Sequence, residues 1–261
     1  MRFRLRKDSV SDLVNILDKD LQHQTRRGLP LIPIQQVLIS LRFYATGTFR
    51  RVIGDLFGVS VFAACTVIHK VSRAKLLSFP ENLGDTKRKF YVVAHFPGVI
   101  GAIDFTHIGI ICPNKENAMA FVNRKQFYSI NVQAVCDSDA FITNVTRWPG
   151  STHNSLILEN SNIADTLRND TLDGILVGDS ECACRAYLMT PILKPKNAGD
   201  VRYNTAHRRT WCVIERCFGL LKRRFPGLHL GLRTALENTL VIIVATAVLH
   251  EFRPNASRTR L

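Results

Sequence analysis

Apolar residues recur at helical spacing between residues 8 and 77, and this periodicity predicts a helical N-terminal region. The clearest stripe lies in Asp12–Leu17, and Pro33 is placed to begin a helix that continues to Tyr44. From residue 98 the pattern changes to short apolar runs bounded by turn residues, which is typical of buried strands. The sequence therefore divides into four segments: a helical region at 1–77, a connector at 78–97, an α/β domain at 98–252 and a short tail at 253–261.

Two helices in the N-terminal region are predicted to form a helix-turn-helix. Thr48 is the predicted N-cap of the first helix, Gly58 ends it, and Ser60 caps the second helix, Val61–Leu77. Two helices joined by a turn that contains Gly and Ser fit this motif. The second helix would then present these polar residues to DNA: Thr66, His69, Lys70 and Arg73. The alternative is a small helical bundle packed on the main domain.

The α/β domain opens with the apolar run Val99–Ile103, which ends in Asp104, and apolar residues resume at Ile108–Ile111. Two further runs, Tyr128–Cys136 and Phe141–Trp148, are separated by four mostly polar residues and predict a hairpin. The remaining predicted elements are a helix at 151–160, a strand at 174–179, a long helix at 206–224 and an apolar helix at 236–252. This succession of strands and helices places the domain in the α/β class.

The overall charge is strongly positive. Lys plus Arg number 35 against 21 Asp plus Glu, which gives a net charge of +14, and the isoelectric point is about 9.9. This balance favours a polyanionic partner, with nucleic acid first and a membrane surface second.

The seven irregularly spaced cysteines suggest a reducing compartment. No secretory signal is expected, and the longest apolar stretch, Thr239–Leu249, is too short to span a bilayer. We therefore expect a soluble intracellular protein.

Three acidic residues are candidates for a metal site: Asp104 and Asp179, each at the end of a buried run, and Glu215 in the long helix. A carboxylate in a buried strand is costly unless it is paired, and a divalent cation is one such partner. A turn cap or an ion pair with Arg is the alternative for each. Gly219, one turn after Glu215, is predicted to leave open space beside that carboxylate. Three carboxylates from separate elements can hold two cations for phosphodiester cleavage.

Basic and polar side chains flank Glu215 on the long helix and are candidates for phosphate contacts, with a solvated basic face as the alternative. They are Tyr203, His207, Arg208 and Arg209 before it, and Lys222, Arg223 and Arg224 after it. A zinc site is a further candidate, with these possible ligands: Cys182, Cys184, His207, Cys212 and Cys217. Their spacing does not match the pairs of ligands that structural zinc sites use.

The chain from about residue 98 to 252 resembles the PIF/Harbinger-type DDE transposases and the Harbinger-derived nucleases. The matching segments are GAIDFTHI (101–108), FVNRKQFYSINVQAVCD (121–137), WPGSTHNS (148–155), LVGDS (176–180), YLMTPIL (187–193), RYNTAHRRTWCVIERCFGLLKRRF (202–225) and AVLHEF (247–252). The resemblance implies an RNase H-like core, a mixed sheet flanked by helices. It also implies an acidic triad at Asp104, Asp179 and Glu215 that binds Mg2+ or Mn2+ and hydrolyses DNA.

The same resemblance implies DNA as the substrate, a separate Myb-like DNA-binding protein as a partner, and a homodimer. The basic charge and the family together favour a nuclear location, with the cytoplasm as a second site. Lys70, Arg73, Arg208, Arg209, Lys222 and Arg223 are the predicted DNA contacts. Binding to a membrane is not expected.

The chain departs from the family pattern at two motifs. Asn154 stands where the family motif PGSxHDS has Asp, and Glu181-Cys182 follows the GDS motif where the family has Gly-Tyr. If the missing Asp supports the metal site, activity is weakened or lost. The alternative function is therefore a catalytically inactive, domesticated transposase that acts as a DNA-binding or scaffold protein.

Overall fold

The computed structural model describes residues 3–22, 31–72, 82–113, 115–169 and 171–252. Its elements in chain order are α1 (Lys7–Leu21), α2 (Pro33–Thr46), α3 (Arg50–Phe57), α4 (Val61–Ser72), α5 (Leu83–Ala94), β1 (Val99–Gly109), a 3-10 helix (Lys115–Phe121), β2 (Ser129–Cys136), β3 (Ile142–Pro149), α6 (Asn154–Glu159), α7 (Asn162–Arg168), β4 (Ile175–Val177), β5 (Leu188–Met189), α8 (Ala198–Arg224), α9 (Gly227–Leu230) and α10 (Leu236–Glu251).

The chain forms two compact units. The helical unit comprises Met1–Leu76, Gly109–Pro113 and Leu221–Leu261, and the sheet unit comprises Leu77–Ile108 and Asn114–Leu220. The segment predicted as a connector, 78–97, contains α5. The long helix α8 contributes its residues up to Leu220 to the sheet unit.

In the helical unit, most predicted boundaries of α2 to α4 are confirmed. Pro33 is the first residue of α2. Gly58 ends α3 in the left-handed conformation, with φ of 65°, and Ser60 Oγ accepts a hydrogen bond from the N–H of Ala63 at 3.1 Å. The prediction for Thr48 is wrong, because the residue before α3 is Phe49 and supplies no side-chain cap. The Thr48 hydroxyl instead lies 3.0 Å from that of Thr46.

Helices α3 and α4 meet at 103°, which lies within the range typical of a helix-turn-helix. The second helix of the predicted motif is described only to Ser72, so Arg73 lies outside the described residues. Among the described helices, none by itself is long and apolar enough to cross a membrane, although α3 and α4 together meet that test by length and composition.

The sheet unit contains one five-stranded mixed sheet with the strand order β3-β2-β1-β4-β5. Strands β2 and β3 are antiparallel, whereas β4 runs parallel to both β1 and β5. The predicted hairpin forms because Asp137 Oδ1 accepts hydrogen bonds from the N–H groups of Asp139 and Phe141, each at 3.0 Å. This sheet with its flanking helices is the α/β, RNase H-like fold that the sequence predicted.

Helices α6 and α7 cover part of the sheet through an apolar core. Its central members are Ile100 and Ile103 from β1, Val135 from β2, Leu158 from α6 and Ile163 from α7. All five are nearly inaccessible to solvent, so their burial fixes the position of β1 within the sheet.

Three features of the sheet unit differ from the predicted elements. Strand β1 continues without a break through Asp104 to Gly109. Strand β5 was not predicted, and α8 begins eight residues earlier than predicted. The early start of α8 is explained by Asn197, whose Oδ1 accepts a hydrogen bond from the N–H of Asp200 at 2.9 Å and so caps the helix.

Candidate active site

Two of the three predicted acidic residues lie at the same level on neighbouring parallel strands. In the register of β1 and β4, Ala102 is opposite Val177. Asp104 and Asp179 each follow that pair by two residues, Asp104 within β1 and Asp179 just after the end of β4. Because neighbouring parallel strands run in the same direction, this register brings Asp104 and Asp179 to the same level of the sheet, just beyond the end of β4.

Helix α8 carries the third acidic residue to the same region. The indole N–H of Trp211 donates a hydrogen bond to the backbone oxygen of Ile103 at 3.2 Å, the residue directly before Asp104. Glu215 lies four residues, or about one helical turn, after Trp211. This hydrogen bond therefore attaches to β1 the segment of α8 that bears Glu215.

The pKa of Asp104 depends on burial and on the charges of other acids. Asp104 is half-buried in β1, and this burial raises the pKa of its carboxyl from 3.8 to about 7. The N–H of Phe105 hydrogen-bonds the carboxylate and lowers the pKa, whereas the negative charges of Asp179, Glu215 and Glu181 raise it further. Asp104 thus lies within electrostatic range of both other members of the predicted triad and of a fourth acid.

Basic side chains do not pair with the three acids of the predicted triad. In the part of the chain that the structure describes, none of Asp104, Asp179 and Glu215 forms an ion pair with Lys or Arg. Asp179 accepts hydrogen bonds from the backbone N–H and the hydroxyl of Ser180. Burial raises the pKa of the Cys212 thiol, and its hydrogen bond to Glu215 raises it further.

The carboxylate oxygens of the three acids are donors of the type that a hard divalent cation binds, although the described residues form no complete metal site. Across the described ranges, no three His, Cys, Asp or Glu side chains stand together as a ready-made metal site. The three acids offer carboxylate oxygens with uncompensated charge, which are the donors that Mg2+ and Mn2+ accept. Mg2+ keeps several of its waters and needs few protein ligands, so an open arrangement of carboxylates fits this ion.

A hydrogen-bonded chain of polar side chains borders the acids. Asn131 Nδ2 donates to Asn154 Oδ1 at 2.9 Å, and Asn154 Nδ2 donates to Glu181 Oε2. The second oxygen of Glu181 lies 3.4 Å from Arg124 Nη1. Sequence reasoning noted Asn154 and Glu181 as departures from the family motifs but did not predict that they contact each other or that Arg124 contacts Glu181. The two contacts of Glu181 join residues that are 57 and 27 positions apart along the chain, so no local signal indicated them.

Two polar candidates from the sequence, Tyr203 and His207, and the exposed His107 of β1 each contact a polar group of the protein. His107 Nδ1 lies 3.0 Å from the hydroxyl of Ser129, and His207 Nε2 lies 3.1 Å from the backbone oxygen of Met189. Burial lowers the pKa of His207. The Tyr203 hydroxyl donates to the backbone oxygen of Thr190 at 2.8 Å. These contacts account for the three side chains without a ligand.

The predicted DNA contacts are divided between the two units. Arg208 and Arg209 are exposed on α8 and line a groove of about 720 Å³, together with Val93, Pro195, Val201, Asn204, Thr205 and Cys212. In the helical unit, Lys70 Nζ lies 3.5 Å from the backbone oxygen of Gln22. Lys222 is half-buried and Arg223 is exposed.

Comparison with known proteins agrees with the fold. The family model described as "DDE superfamily endonuclease" matches residues 103–251. The "Putative nuclease HARBI1" of Bos taurus is 34% identical over 252 residues, which cover 91% of this chain and 72% of the relative. Its counterpart from Mus musculus is 35% identical with the same coverage. "Protein ALP1-like" of Arabidopsis thaliana is 27% identical over 221 residues, covering 76% of this chain and 54% of the relative.

No solved structure matches the chain at a significant level. The family model covers more than half of the chain, and the relative from Bos taurus exceeds 30% identity over most of both proteins. The chain therefore belongs to the transposase-derived, Harbinger-type family of DDE endonucleases that includes the HARBI1 proteins.

Proposed function

We propose that the protein is a divalent-metal-dependent DNA endonuclease and that Asp104, Asp179 and Glu215 bind the cations. The observation that carries this proposal is the register of β1 and β4, which places Asp104 and Asp179 at the same level of the sheet. The hydrogen bond from Trp211 to Ile103 brings the segment of α8 that bears Glu215 to the same strand. A fold without a cation has no physical reason to gather three carboxylates that are not neutralised by Lys or Arg.

Each acidic residue has a distinct task that follows from its position. Asp104 is fixed by a strand whose preceding residues are fully buried, so it provides the least mobile oxygen atoms. Asp179 follows the short strand β4 and is oriented by the N–H and hydroxyl of Ser180. Glu215 is exposed on α8, where its longer side chain can adjust to a bound ion. When bound, the divalent cation activates water and stabilises the leaving oxygen of the phosphodiester.

One face of α8 is suited to the sugar-phosphate backbone. Arg208, Cys212, Glu215 and Gly219 follow one another at intervals of four, three and four residues, so they lie along one side of the helix. A Cβ atom added at Gly219 would meet no atom within 4 Å. This open face supports the approach of DNA to Glu215, with Arg208 as a phosphate contact two turns earlier.

The remaining contacts and the cellular context are part of the same proposal. Contacts to phosphates by charge alone are also proposed for Arg209 on α8 and for four residues elsewhere in this basic chain: Lys70, Arg73, Lys222 and Arg223. The nuclear location, the Myb-like partner and the homodimer rest on the family and remain predictions.

The proposal is tested by cleavage of supercoiled plasmid DNA in the presence of Mg2+ or Mn2+. We expect the wild-type protein to nick the plasmid, and Asp104→Asn, Asp179→Asn and Glu215→Gln to abolish nicking while salt-dependent DNA binding is retained. Glu159→Gln is the control, because Glu159 is an exposed acid of the same unit that pairs with Arg185 at 3.2 Å. Equal nicking by wild type and Asp104→Asn would refute the assignment of the site.

The alternative is a DNA-binding or scaffold protein without catalysis, and one observation favours it. The position of the family Asp is occupied by Asn154, a neutral residue whose amide donates a hydrogen bond to Glu181. In that case the wild-type protein would bind DNA, would not cleave it with either metal, and would show no measurable affinity for Mn2+.

A further inference from the structure

A groove in the sheet unit runs along α8 and reaches the segment of the helix that bears Glu215. It has a volume of about 720 Å³, and its lining on α8 extends from Val201 to Cys212. These residues span about 16 Å at 1.5 Å per residue, and Cys212 lies three residues, or about one helical turn, before Glu215. The proposed phosphate contacts involve only two arginines of this groove, so they leave most of its lining without a role.

Apolar side chains that are open to solvent form part of the lining. Val201 is 55% exposed and Val93, on α5, is 40% exposed, and Pro195 joins them from the loop before α8. Leu193 on the same loop is 79% exposed. Phosphate groups gain nothing from apolar contact, whereas exposed apolar patches commonly mark binding grooves. Charge alone therefore does not explain this surface.

The charged part of the lining is cationic. Arg208 and Arg209 are exposed, and among the described residues neither forms an ion pair with Asp or Glu. The described residues that line the groove include no acid. The groove thus complements a ligand that has both anionic and apolar surfaces. Unpaired DNA has both, because its phosphates and the faces of its bases are accessible, whereas a duplex stacks its bases inside and presents mainly its phosphates.

One side of the groove is fixed in place by hydrogen bonds to α8. Asn204 accepts a hydrogen bond from the N–H of Ile192 at 2.9 Å and donates to the backbone oxygen of the same residue at 2.8 Å. The Tyr203 hydroxyl donates to the backbone oxygen of Thr190 at 2.8 Å. The loop that carries Pro195 is therefore ordered before any ligand binds, which lowers the cost of binding.

We infer that the groove binds a short unpaired segment of the DNA strand beside the cleavage site. Arg208 and Arg209 bind its phosphates. Its bases pack against three apolar side chains: Val93, Pro195 and Val201. The inference rests on the proposed function and names its substrate class as DNA with unpaired nucleotides next to the scissile bond. A length of about 16 Å accommodates about five nucleotides at the 3.4 Å spacing of stacked bases.

A protein segment with acidic and apolar side chains has the same general chemistry, but the position of the groove favours DNA. Its lining comes within about one helical turn of Glu215, so a strand whose scissile bond lies at Glu215 continues directly along it. A docked protein segment would gain nothing from that proximity. Binding of such a segment is therefore the alternative that the experiment has to exclude.

The test is fluorescence anisotropy of the full chain in EDTA with a labelled single strand of about 20 nucleotides and with the duplex of the same sequence. We expect Val201→Asp to weaken single-strand binding about tenfold, because the apolar contact is lost and the new carboxylate repels phosphates. Duplex affinity should stay within about twofold of the wild-type value. Val92→Asp is the matched control, because Val92 is a 74% exposed valine of α5 outside the lining of the groove.

Three results of this experiment would overturn the inference. Equal losses for the single strand and the duplex, or an equal loss in Val92→Asp, would reduce the effect to general charge repulsion. The third concerns the alternative occupant, for which the probe is a labelled peptide of alternating Glu and Leu. If Val201→Asp abolishes binding of that peptide but leaves single-strand binding unchanged, the groove belongs to an acidic protein segment.

A cleavage assay separates the inference from the proposed function. With Mn2+, the wild-type protein should cut a duplex that contains about five unpaired nucleotides at least about fivefold faster than the fully paired duplex, because only the first can place bases in the groove. Equal rates would overturn the inference and leave the proposed function intact. If neither DNA is cut, the proposed function fails, and with it the claim that the groove serves a cleavage site.

Discussion

Replacing Asp104 with Asn should stabilise the metal-free protein at neutral and alkaline pH. Burial, opposed by the hydrogen bond from Phe105 and reinforced by the surrounding acids, raises the pKa of Asp104 from 3.8 to about 7. Because the folded state binds this proton more tightly than the unfolded state, ionisation costs stability. This is the opposite sign from a carboxylate that is paired with Arg or Lys.

The size and pH window follow from the two pKa values. Between pH 3.8 and about pH 7 the unfolded chain has lost the proton while the folded protein keeps it. Each pH unit in that window lowers the free energy of unfolding by about 1.4 kcal/mol, to an upper limit of about 4 kcal/mol above pH 7. Asn carries no charge at any pH, so Asp104→Asn should match the wild type near pH 4 and exceed it by up to that amount at pH 8.

The measurement is urea denaturation of wild type and variant at several values between pH 4.5 and pH 8.5 in the presence of EDTA. We expect the difference in free energy of unfolding to grow by about 3 kcal/mol between pH 5 and pH 8. Asp173→Asn is the control, since Asp173 is 94% exposed and paired with Lys87 at 2.7 Å. Adding Mg2+ at pH 8 should stabilise the wild type and not Asp104→Asn. A difference that does not change with pH would refute the argument from burial and neighbouring charge.

Four further outcomes test separate features of the sheet unit. Gly219→Ala should raise the free energy of unfolding by about 0.5–1 kcal/mol, because the helix gains a better helix-forming residue where there is open space, and it should slow plasmid nicking if DNA approaches this face. Asn197→Ala should lower the free energy of unfolding by about 1 kcal/mol through loss of the α8 cap, as urea denaturation measures. Arg208→Ala should reduce the slope of log affinity against log salt by about one in fluorescence anisotropy with labelled duplex DNA. Iodoacetamide at pH 8 should alkylate exposed Cys184 well before Cys182 in site-resolved mass spectrometry, because burial, and then nearby negative charge, raises the pKa of Cys182 to about 12.

Each of these expectations has a control and a contrary result. Asn197→Asp keeps the cap and should retain stability, so an equal loss in both variants would contradict the capping role. A destabilising Gly219→Ala would mean that the helix face is packed and not open. An unchanged salt slope for Arg208→Ala would remove this residue from the DNA contacts. Alkylation of Cys182 as fast as that of Cys184 would show that the core beside Asp179 opens readily.

The class of the fold was predictable because the apolar periodicity changes at residue 98. The hairpin of β2 and β3 was predictable from the polar residues between two apolar runs, and Asp137 performs the turn chemistry that such residues offer. Strand β5 was not predictable, because it has only two residues and no period can be read from two positions. The start of α8 was missed because its first eight residues, 198–205, are mostly polar and carry no apolar stripe, and because the Asn197 cap was not recognised.

The resemblance to the family predicted the acidic residues as a triad, but the residue pattern by itself offered them only as candidates on separate elements. Two buried runs that end in Asp do not reveal that their strands are parallel neighbours, and this register is what aligns Asp104 with Asp179. The place of Glu215 depends on a hydrogen bond between Trp211 and Ile103, which are 108 residues apart. Periodicity describes neighbours along the chain, so it cannot encode such tertiary contacts.

The two departures from the family motifs acquire a different meaning once their contact is known. Considered alone, Asn154 suggests a weakened site, because an acid is absent. In the structure its amide donates to Glu181, the other departure, and an acid at position 154 would instead face the Glu181 carboxylate at hydrogen-bonding distance. Two adjoining carboxylates cannot both remain ionised without a large rise in the pKa of one of them. Asn at 154 is therefore the residue that a carboxylate at 181 favours, and the pair of changes does not by itself indicate an inactive protein.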